Sequence, residues 1–269
     1  EFYLTATLLV HAEQGIGDTL NFVRYLPLVA TRVRRLIFEC QSTLIGLLAN
    51  IEGADQIVTS NDELPHFDLH VPLLSLPGIF RTTPETIPGS VPYIHVPGEV
   101  DVPLPLVGTG LKVGIVWAGN PGNPLDASRS IGLAPLKKLF GVPGCIFYSL
   151  QYGELAKEIS LEGLESRVQD LSPLIDDFAT TAALVDQMDL VISVCTSVAH
   201  LAGGMGVETW VLLSDDADWR WMRNRSDSPW YPSMRLFRQK NRNDWVDVVD
   251  KVAEALISHV ESEGKVQRA

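Results

Sequence analysis

Hydrophobic segments of strand length and of helix length alternate along the whole chain, and this alternation constrains the fold more than any other feature. The apolar runs at 112–117, 190–194 and 209–213 are nearly continuous, as expected for strands that are buried on both faces of a parallel sheet. The segments between such runs carry apolar residues at helical spacing. The pattern predicts an α/β protein whose sheets are mainly parallel.

The alternation forms two series. In the first, we predict a helix from about Asp18, a second helix at 43–51, and strands at 7–12, 36–40, 56–59 and 67–72. Pro27 should kink or shorten the first of these helices, because proline donates no backbone hydrogen bond. In the second, we predict helices at 135–140, 177–188 and 196–205, and strands at 112–117, 145–151, 167–171, 190–194, 209–213 and 234–238. A final amphipathic helix is predicted between Trp245 and Val260.

A segment rich in proline and glycine, PGEVDVPLPLVGTG at 97–110, separates the two series. These residues interrupt helices and central strands, so we predict a domain boundary here. A chain of 269 residues also exceeds what one hydrophobic core usually fills. We therefore expect an N-terminal domain at 1–100 and a C-terminal domain at 111–269, facing each other across a cleft at the carboxyl ends of their strands.

The charge of the chain limits its partners. Lys and Arg number 21 against 33 Asp and Glu, and the net charge of -12 repels nucleic-acid backbones and anionic lipid surfaces, so we expect no nucleic-acid partner. Polar residues interrupt the longest apolar stretch, at 190–213, so no membrane span is expected. Three cysteines without a CxxC pair and a start without a signal-peptide pattern indicate a cytoplasmic protein. The abrupt start also suggests a fragment of a longer chain.

The segment HAEQGIGDTLNF at 11–22 follows the first predicted strand. Gly15 and Gly17 allow a tight turn and the close approach of a ligand to the backbone. Asp18 would open the next helix, where its carboxylate either caps free N–H groups or accepts a proton, and the spacing supports both interpretations equally. Leu20 stands where the dinucleotide motif GxGxxG has its third glycine, which argues against NAD binding.

The segment WAGNPGNPLDASRSI at 117–131 is a long loop after the first strand of the second series. Long structured loops in compact domains are often functional. Arg129 would bind a phosphate with two parallel hydrogen bonds, or else pair with Asp126 at the surface.

The segment DLVISVCTSVAHLAGGMG at 189–206 brings Cys195, Thr196 and Ser197 to a helix start, with His200 one turn inside. Hydroxyl groups and free N–H groups at a helix start favour an anion site. The alternatives are simple capping by Thr196 and Ser197 and a core role for His200. A cysteine nucleophile is disfavoured, because no third residue is evident that would orient the pair.

The residues at 215–239, here called the aromatic segment, form the one locally basic region of this acidic chain. Four large rings alternate with arginines, namely Trp219, Trp221, Trp230 and Tyr231. Such planes suit a sugar, a base or a diphosphate. They are equally typical of a packed lid or an interdomain contact.

Taken together, the motifs HAEQGIGDT, WAGNP, RSI, YSLQ, DLVISVCTSVAHLAGGMG and SPWYPSMRLFRQ resemble the glycosyltransferase domain attached to tetratricopeptide repeats in many bacterial proteins. That domain is similar to the family 9 glycosyltransferases, which include lipopolysaccharide heptosyltransferases. The resemblance extends from about Leu8 to Ile257. It implies the GT-B fold, with two facing Rossmann-like domains, and a repeat region upstream of Glu1.

The resemblance also implies an activity. The chain would be an inverting glycosyltransferase without a metal or a cofactor, moving a sugar from a nucleotide-diphosphate donor to a hydroxyl of a glycan, lipid-linked or protein acceptor. Asp18 matches the position of the general base. The donor would be bound by Gly17, Asn120, Arg129, Gln151, Thr196, Ser197 and His200, together with Cys195, whose residue type differs from the family pattern.

Cys195 departs from the family pattern, which has an aspartate at this position. The loss of that carboxylate favours an alternative hypothesis, a degenerate GT-B module that binds a nucleotide or a glycan without turnover. A sugar-nucleotide epimerase or a Rossmann oxidoreductase is a weaker alternative, because the glycine spacing and the Gly17–Asp18 pair do not suit either class.

Overall fold

Two parallel sheets organise the part of the chain that the computed structural model describes, residues 3–105, 107–123, 126–242 and 244–266. Every strand pairing within the two sheets is parallel. The predicted α/β class with mainly parallel sheets is therefore confirmed.

The first sheet has the strand order β3-β2-β1-β4. Its strands are β1 (Tyr3–His11), β2 (Val33–Cys40), β3 (Gln56–Thr59) and β4 (Leu69–Pro72). The helices of this half are short, namely α1 (Ile16–Phe22), α2 (Leu26–Ala30), α3 (Ile45–Leu48) and α4 (Leu76–Ile79). Turns of 3₁₀-helix precede three of them, at Val23–Tyr25, Ser42–Leu44 and Leu73–Ser75.

The second sheet has the strand order β10-β9-β8-β5-β6-β7. Its strands are β5 (Leu111–Val116), β6 (Cys145–Ser149), β7 (Val168–Asp170), β8 (Leu190–Val194), β9 (Thr209–Leu213) and β10 (Met234–Arg238). The helices are α5 (Asp126–Arg129), α6 (Glu158–Leu161), α7 (Phe178–Val185), α8 (Ser197–Met205) and α9 (Trp245–Val266). Segments of 3₁₀-helix lie at Ala134–Gly141, Gly153–Lys157, Ser172–Leu174 and Trp219–Trp221.

Two of the predicted helices are wrong in type or length. The segment predicted as a helix at 43–51 forms only a 3₁₀ turn followed by α3, and the segment at 135–140 is 3₁₀-helix throughout. Gly46 lowers the helix propensity of the first segment. Pro135 lies in the first turn of the second segment, where proline is tolerated. Pro27 divides the first predicted helix as expected, since α1 ends at Phe22 and the proline lies in the first turn of α2, where its missing N–H costs nothing.

One hydrophobic cluster extends through both halves of the chain. It joins Leu20 and Phe22 of the first half to Leu201, Trp221 and Tyr231 of the second. The backbone N–H groups that follow the cis Val91–Pro92 bond add to this contact, because those at 93 and 94 donate to a carbonyl oxygen at 204 in α8. The packing thus sets α1 against α8.

A second cluster fills the space between the other face of the second sheet and α9. It contains Trp117 and Trp210 from the sheet side and Val248 and Val252 from the helix. The apolar face predicted for the final helix is therefore the face that packs. No helix in the described part of the chain is long and apolar enough to cross a membrane.

Candidate functional site

The first turns of α1 and α8 meet where the two halves pack. A Cβ atom built on Gly17 would lie 2.8 Å from Cδ2 of His200, closer than real Cβ contacts, so glycine is what allows this approach. Since α1 follows β1 and α8 follows β8, the contact joins the carboxyl ends of the two sheets. Open parallel sheets bind ligands at this edge.

Asp18 lies in the first turn of α1 and does not open it, contrary to the prediction, because the helix begins at Ile16. Its Oδ2 reaches back to accept the backbone N–H of Gly15 at 2.9 Å. Its Oδ1 is ion-paired with Nη2 of Arg220. The carboxylate stabilises the helix start, and a quarter of the Asp18 side chain remains exposed to solvent.

Arg220, in the aromatic segment, joins the two halves through this ion pair. Its side chain is only 6% exposed, and Nη1 donates to both carboxylate oxygens of Asp218, at 3.0 and 3.1 Å. The guanidinium lies over the rings of Phe22 and Trp219. Its Nε has no hydrogen-bond partner among the described residues. In the sequence, Arg220 stands out only as one of several arginines among the aromatic rings of this segment, and nothing there indicates its pairing with Asp18.

His200 is buried in α8, and its hydrogen bonds define its tautomer. Oη of Tyr231 donates to Oδ1 of Asn21 at 2.9 Å, and Nδ1 of His200 lies 2.8 Å from the same Oη. The hydroxyl proton is already used, so Nδ1 carries the proton and donates to Tyr231. Nε2 is left as a hydrogen-bond acceptor near Gly17.

His200 is uncharged at neutral pH. Burial lowers its pKa to about 3, with smaller contributions from the positive charges of Arg220, Arg24 and Arg129. The ring stacks on Trp221 with centroids 5.3 Å apart and an interplanar angle of 20°. The side chain is therefore fixed in its orientation and uncharged.

The start of α8 carries free N–H groups. Thr196 occupies the N-cap position, but no side chain among the described residues caps the helix there, and Oγ1 of Thr196 instead lies 3.0 Å from Oγ of Ser193. The simple capping interpretation of Thr196 is therefore wrong. Ser197 is the first residue of the helix. Uncapped N–H groups and the helix dipole together favour an anion at this position.

Cys195 directly precedes this helix start. Its Sγ accepts a hydrogen bond from Nε1 of Trp221 at 3.1 Å. Burial raises the pKa of the thiol, which outweighs that hydrogen bond and the nearby arginines. The thiol is a poor nucleophile in this environment.

The loop at 117–131, of which residues 124 and 125 lie outside the described part, folds back onto the end of β5. Gly119 N–H donates to Oγ of Ser130 at 2.9 Å, which returns Arg129 to the sheet edge. Nε of Arg129 pairs with Oδ1 of Asp126 at 3.2 Å, and a quarter of the Arg129 side chain remains exposed. The predicted pairing with Asp126 is thus present, and it leaves the Nη groups of Arg129 for another partner.

Two further positions expected to bind the donor hold this loop in place. Asn120 is exposed, and its Oδ1 accepts the backbone N–H of Gly122 at 2.9 Å. Gln151 is buried, and its Oε1 accepts the N–H groups of Trp117 and Ala118 at 3.2 and 3.0 Å. Both side chains shape the carboxyl edge of the second sheet, and their donor-binding roles stay predictions.

Most of the aromatic segment forms a contact between the halves. Trp221, Trp230 and Tyr231 are buried, and the backbone oxygen of Trp230 accepts from Nη1 of Arg24 at 2.8 Å. Trp219 differs, since it is 60% exposed. The segment therefore supplies both a packed interface and one accessible ring.

The arrangement brings the partly exposed carboxylate of Asp18 together with Arg129 and the uncapped start of α8, where the carboxyl edges of the two sheets meet. Such a set can accept a proton from a hydroxyl and hold an anion beside it. Among the described residues, no group of three or more His, Cys, Asp or Glu side chains is placed to hold a metal ion.

Comparison with known proteins finds one curated relative. No family model matches the chain. The chain is 27% identical to protein FlbA of Caulobacter vibrioides over 279 aligned positions, which cover 93% of this chain and 46% of that protein. The chain thus spans about half the length of the curated relative it matches.

Solved structures match nearly the whole chain. The ADP-heptose lipopolysaccharide heptosyltransferase II of E. coli has a TM-score of 0.62 at 12% identity and covers 96% of this chain and 99% of that one. A family 9 glycosyl transferase from Veillonella parvula has a TM-score of 0.58 at 11% identity, with the same coverage. The E. coli heptosyltransferase WaaC bound to an ADP-heptose analogue has a TM-score of 0.59 at 10% identity, covering 93% and 99%. These likenesses confirm the predicted GT-B fold.

Proposed function

We propose that this chain is a glycosyltransferase that moves a sugar from a nucleotide-diphosphate donor to an acceptor hydroxyl. One observation carries the proposal, which is that Asp18 of the first half and the uncapped start of α8 in the second half meet at the carboxyl edges of both sheets. Several structures with this fold belong to glycosyltransferases, and two of their names include ADP-heptose or an ADP-heptose analogue.

The donor would lie on the second half, the proposed domain at 111–269. Arg129 and the free N–H groups of α8 would bind the negatively charged diphosphate. In this proposal they also stabilise the charge that develops on the leaving group, so no metal is required. Neutral His200 would accept a donor hydroxyl at Nε2. Cys195, Thr196 and Ser197 would form the floor of this site. Gly17 would let the acceptor-side domain, at 1–100, approach it.

The proposed reaction is a single displacement with inversion. Asp18 takes the proton of the acceptor hydroxyl while that oxygen bonds to the anomeric carbon and the carbon–oxygen bond to the diphosphate breaks. Because Arg220 occupies Oδ1 and Gly15 occupies Oδ2, the acceptor hydroxyl must use a remaining lone pair of the carboxylate or displace the guanidinium.

The experiment that tests this proposal compares Asp18→Asn with the parent protein. The substitution keeps the shape but removes the proton acceptor, so nucleoside diphosphate release across a donor and acceptor panel should fall by roughly 10²- to 10⁴-fold with donor affinity unchanged. Asp186→Asn, at an exposed position at the end of α7, is the matched control. Turnover that survives in Asp18→Asn would remove Asp18 from the mechanism.

A second candidate function is a binding module without turnover, which is favoured by the ion pair on Asp18 and by Cys195 in place of the expected aspartate. Donor binding without nucleoside diphosphate release in the parent, together with restored release in Cys195→Asp, would support it. We also propose a cytoplasmic location and tetratricopeptide repeats elsewhere in a longer protein, both of which are only implied by the resemblance.

A further inference from the structure

Trp219 is the exposed member of an otherwise buried aromatic segment. Its side chain is 60% exposed, whereas Trp221 and Trp230 are buried. An exposed ring adds little to the hydrophobic core, yet the backbone that carries Trp219 is ordered by hydrogen bonds. It begins a 3₁₀ turn that Asp218 caps by accepting the N–H of Arg220 at 3.0 Å.

Three neighbours fix the orientation of the Trp219 ring. It stacks on Phe22 of α1 with centroids 6.4 Å apart and an angle of 19°, and it meets the edge of Trp230 at 6.0 Å. The guanidinium of Arg220 lies 4.6 Å from its centroid. The ring is therefore a preorganised platform, which reduces the entropy lost when a ligand binds.

The platform lies beside the proposed general base. Arg220 contacts both Trp219 and Asp18, and Phe22 follows Asp18 by four residues on the same face of α1, about 6 Å along the helix axis. A ligand on Trp219 would thus lie on the same side of the site as Asp18, with the Arg220 guanidinium between the ring and the carboxylate.

The positive charge of Arg220 on the ring is compensated by Asp18 and Asp218, so the carboxylates of Asp215 and Asp216 disfavour an anion beside the platform. Asp215, Asp216 and Asp218 are exposed and directly precede Trp219 in the chain. Carboxylates accept hydrogen bonds from hydroxyl groups and repel phosphates. The negative face of an aromatic ring attracts the weakly positive C–H groups on the face of a pyranose. An uncharged sugar ring satisfies both requirements, whereas the carboxylates repel the phosphates of a phosphorylated lipid or of a nucleotide, even though a base could stack on the ring.

We propose that Trp219 is the acceptor platform of this protein and that the acceptor presents an uncharged pyranose ring, which stacks on Trp219 and offers a hydroxyl to Asp18. The inference rests on the proposed transferase function and goes further by naming the acceptor class as a neutral glycan. Trp219 is a specificity-determining residue, and the carboxylates before it bind ring hydroxyls.

Fluorine NMR on the whole chain labelled with fluorotryptophan tests binding directly. The chain has six tryptophans, and Trp219→Phe assigns the resonance of interest. The probes are the methyl glycosides of glucose, galactose, mannose and N-acetylglucosamine at millimolar concentration, with a sugar phosphate and ADP for comparison. We expect at least one methyl glycoside to shift the Trp219 resonance and to leave that of Trp210, packed near α9, unchanged.

Substitutions then test the energetic role. Trp219→Ala should weaken the affinity for that glycoside by about tenfold, or about 1.4 kcal/mol. Leu161→Ala, which truncates an exposed apolar side chain in α6, should have no effect. A Trp219 resonance that no methyl glycoside shifts, a shift produced by ADP or the sugar phosphate instead, or unchanged affinity in Trp219→Ala would overturn the proposal.

Turnover separates this proposal from the proposed function. A rise in acceptor KM in Trp219→Ala, with kcat and donor KM preserved, supports the platform. Glycoside binding at Trp219 without nucleoside diphosphate release from any donor means that the platform is right and the transferase proposal wrong. If the parent turns over and Trp219→Ala leaves the acceptor KM unchanged, the transferase proposal is right and the platform proposal is wrong.

Discussion

Adding a single methyl group at Gly17 should destabilise the whole protein. The Cβ of Gly17→Ala would lie 2.8 Å from Cδ2 of His200, and that ring cannot withdraw, because it is stacked on Trp221 and bonded to Tyr231. Forcing an extra carbon into a packed contact costs roughly 1–3 kcal/mol. Replacing a glycine within a helix by alanine stabilises the folded protein by roughly 0.5–1 kcal/mol. The net loss should be about 1–2 kcal/mol, or a Tm lower by about 2–6 °C.

Urea unfolding of Gly17→Ala, Gly78→Ala and the parent measures this loss. Gly78 also lies in a short helix, but a Cβ there would meet nothing within 4 Å, so Gly78→Ala should stabilise by about 0.5–1 kcal/mol. In a His200→Ala background the contact disappears and Gly17→Ala should cost less. The close contact between Gly17 and His200 would be refuted if Gly17→Ala were as stable as the parent. It would also be refuted if Gly17→Ala destabilised the parent and the His200→Ala protein equally.

Two further predictions concern the second half of the site. Arg129→Ala should weaken nucleoside diphosphate binding by about 1.5–3 kcal/mol more than binding of the uncharged nucleoside, and calorimetry showing equal losses for both ligands would contradict a phosphate contact. The pKa of His200 is about 3 in the folded protein, against an ordinary value of 6.5. Its contribution to stability is therefore complete above about pH 6.5 and is lost as the pH falls toward 3, because protonation favours the unfolded chain. Between pH 7 and pH 5, the free energy of unfolding measured with urea should fall more for the parent than for His200→Gln. Equal decreases in the two proteins would mean that another group is responsible.

The sequence predicts the strands better than the helices. The predicted bounds of β3, β8, β9 and β10 agree with the structure. Short runs rich in apolar residues mark buried strands directly. The helical segments around α3 and Pro135 are too short to be stable alone, so their form depends on packing that the local sequence does not contain.

The site was predictable where its signals are local. The turn at Gly15 and Gly17 and the helix start at Thr196 could be recognised from a few neighbouring residues. The partner of Asp18 could not, because Arg220 is 202 positions away and only the packing of the two halves brings them together. The tautomer of His200 likewise depends on Asn21 and Tyr231, which lie in different halves of the chain.

The cluster that runs from Leu20 and Phe22 to Leu201 and Trp221 has a consequence for protein engineering. Exchanging one half for that of a distant relative would place unmatched side chains on both sides of a buried contact. Such a chimera should retain its stability only if α1 and α8 are transferred together with the aromatic segment. In recombination experiments, α1, α8 and the aromatic segment must therefore be exchanged together, although they are far apart in the sequence.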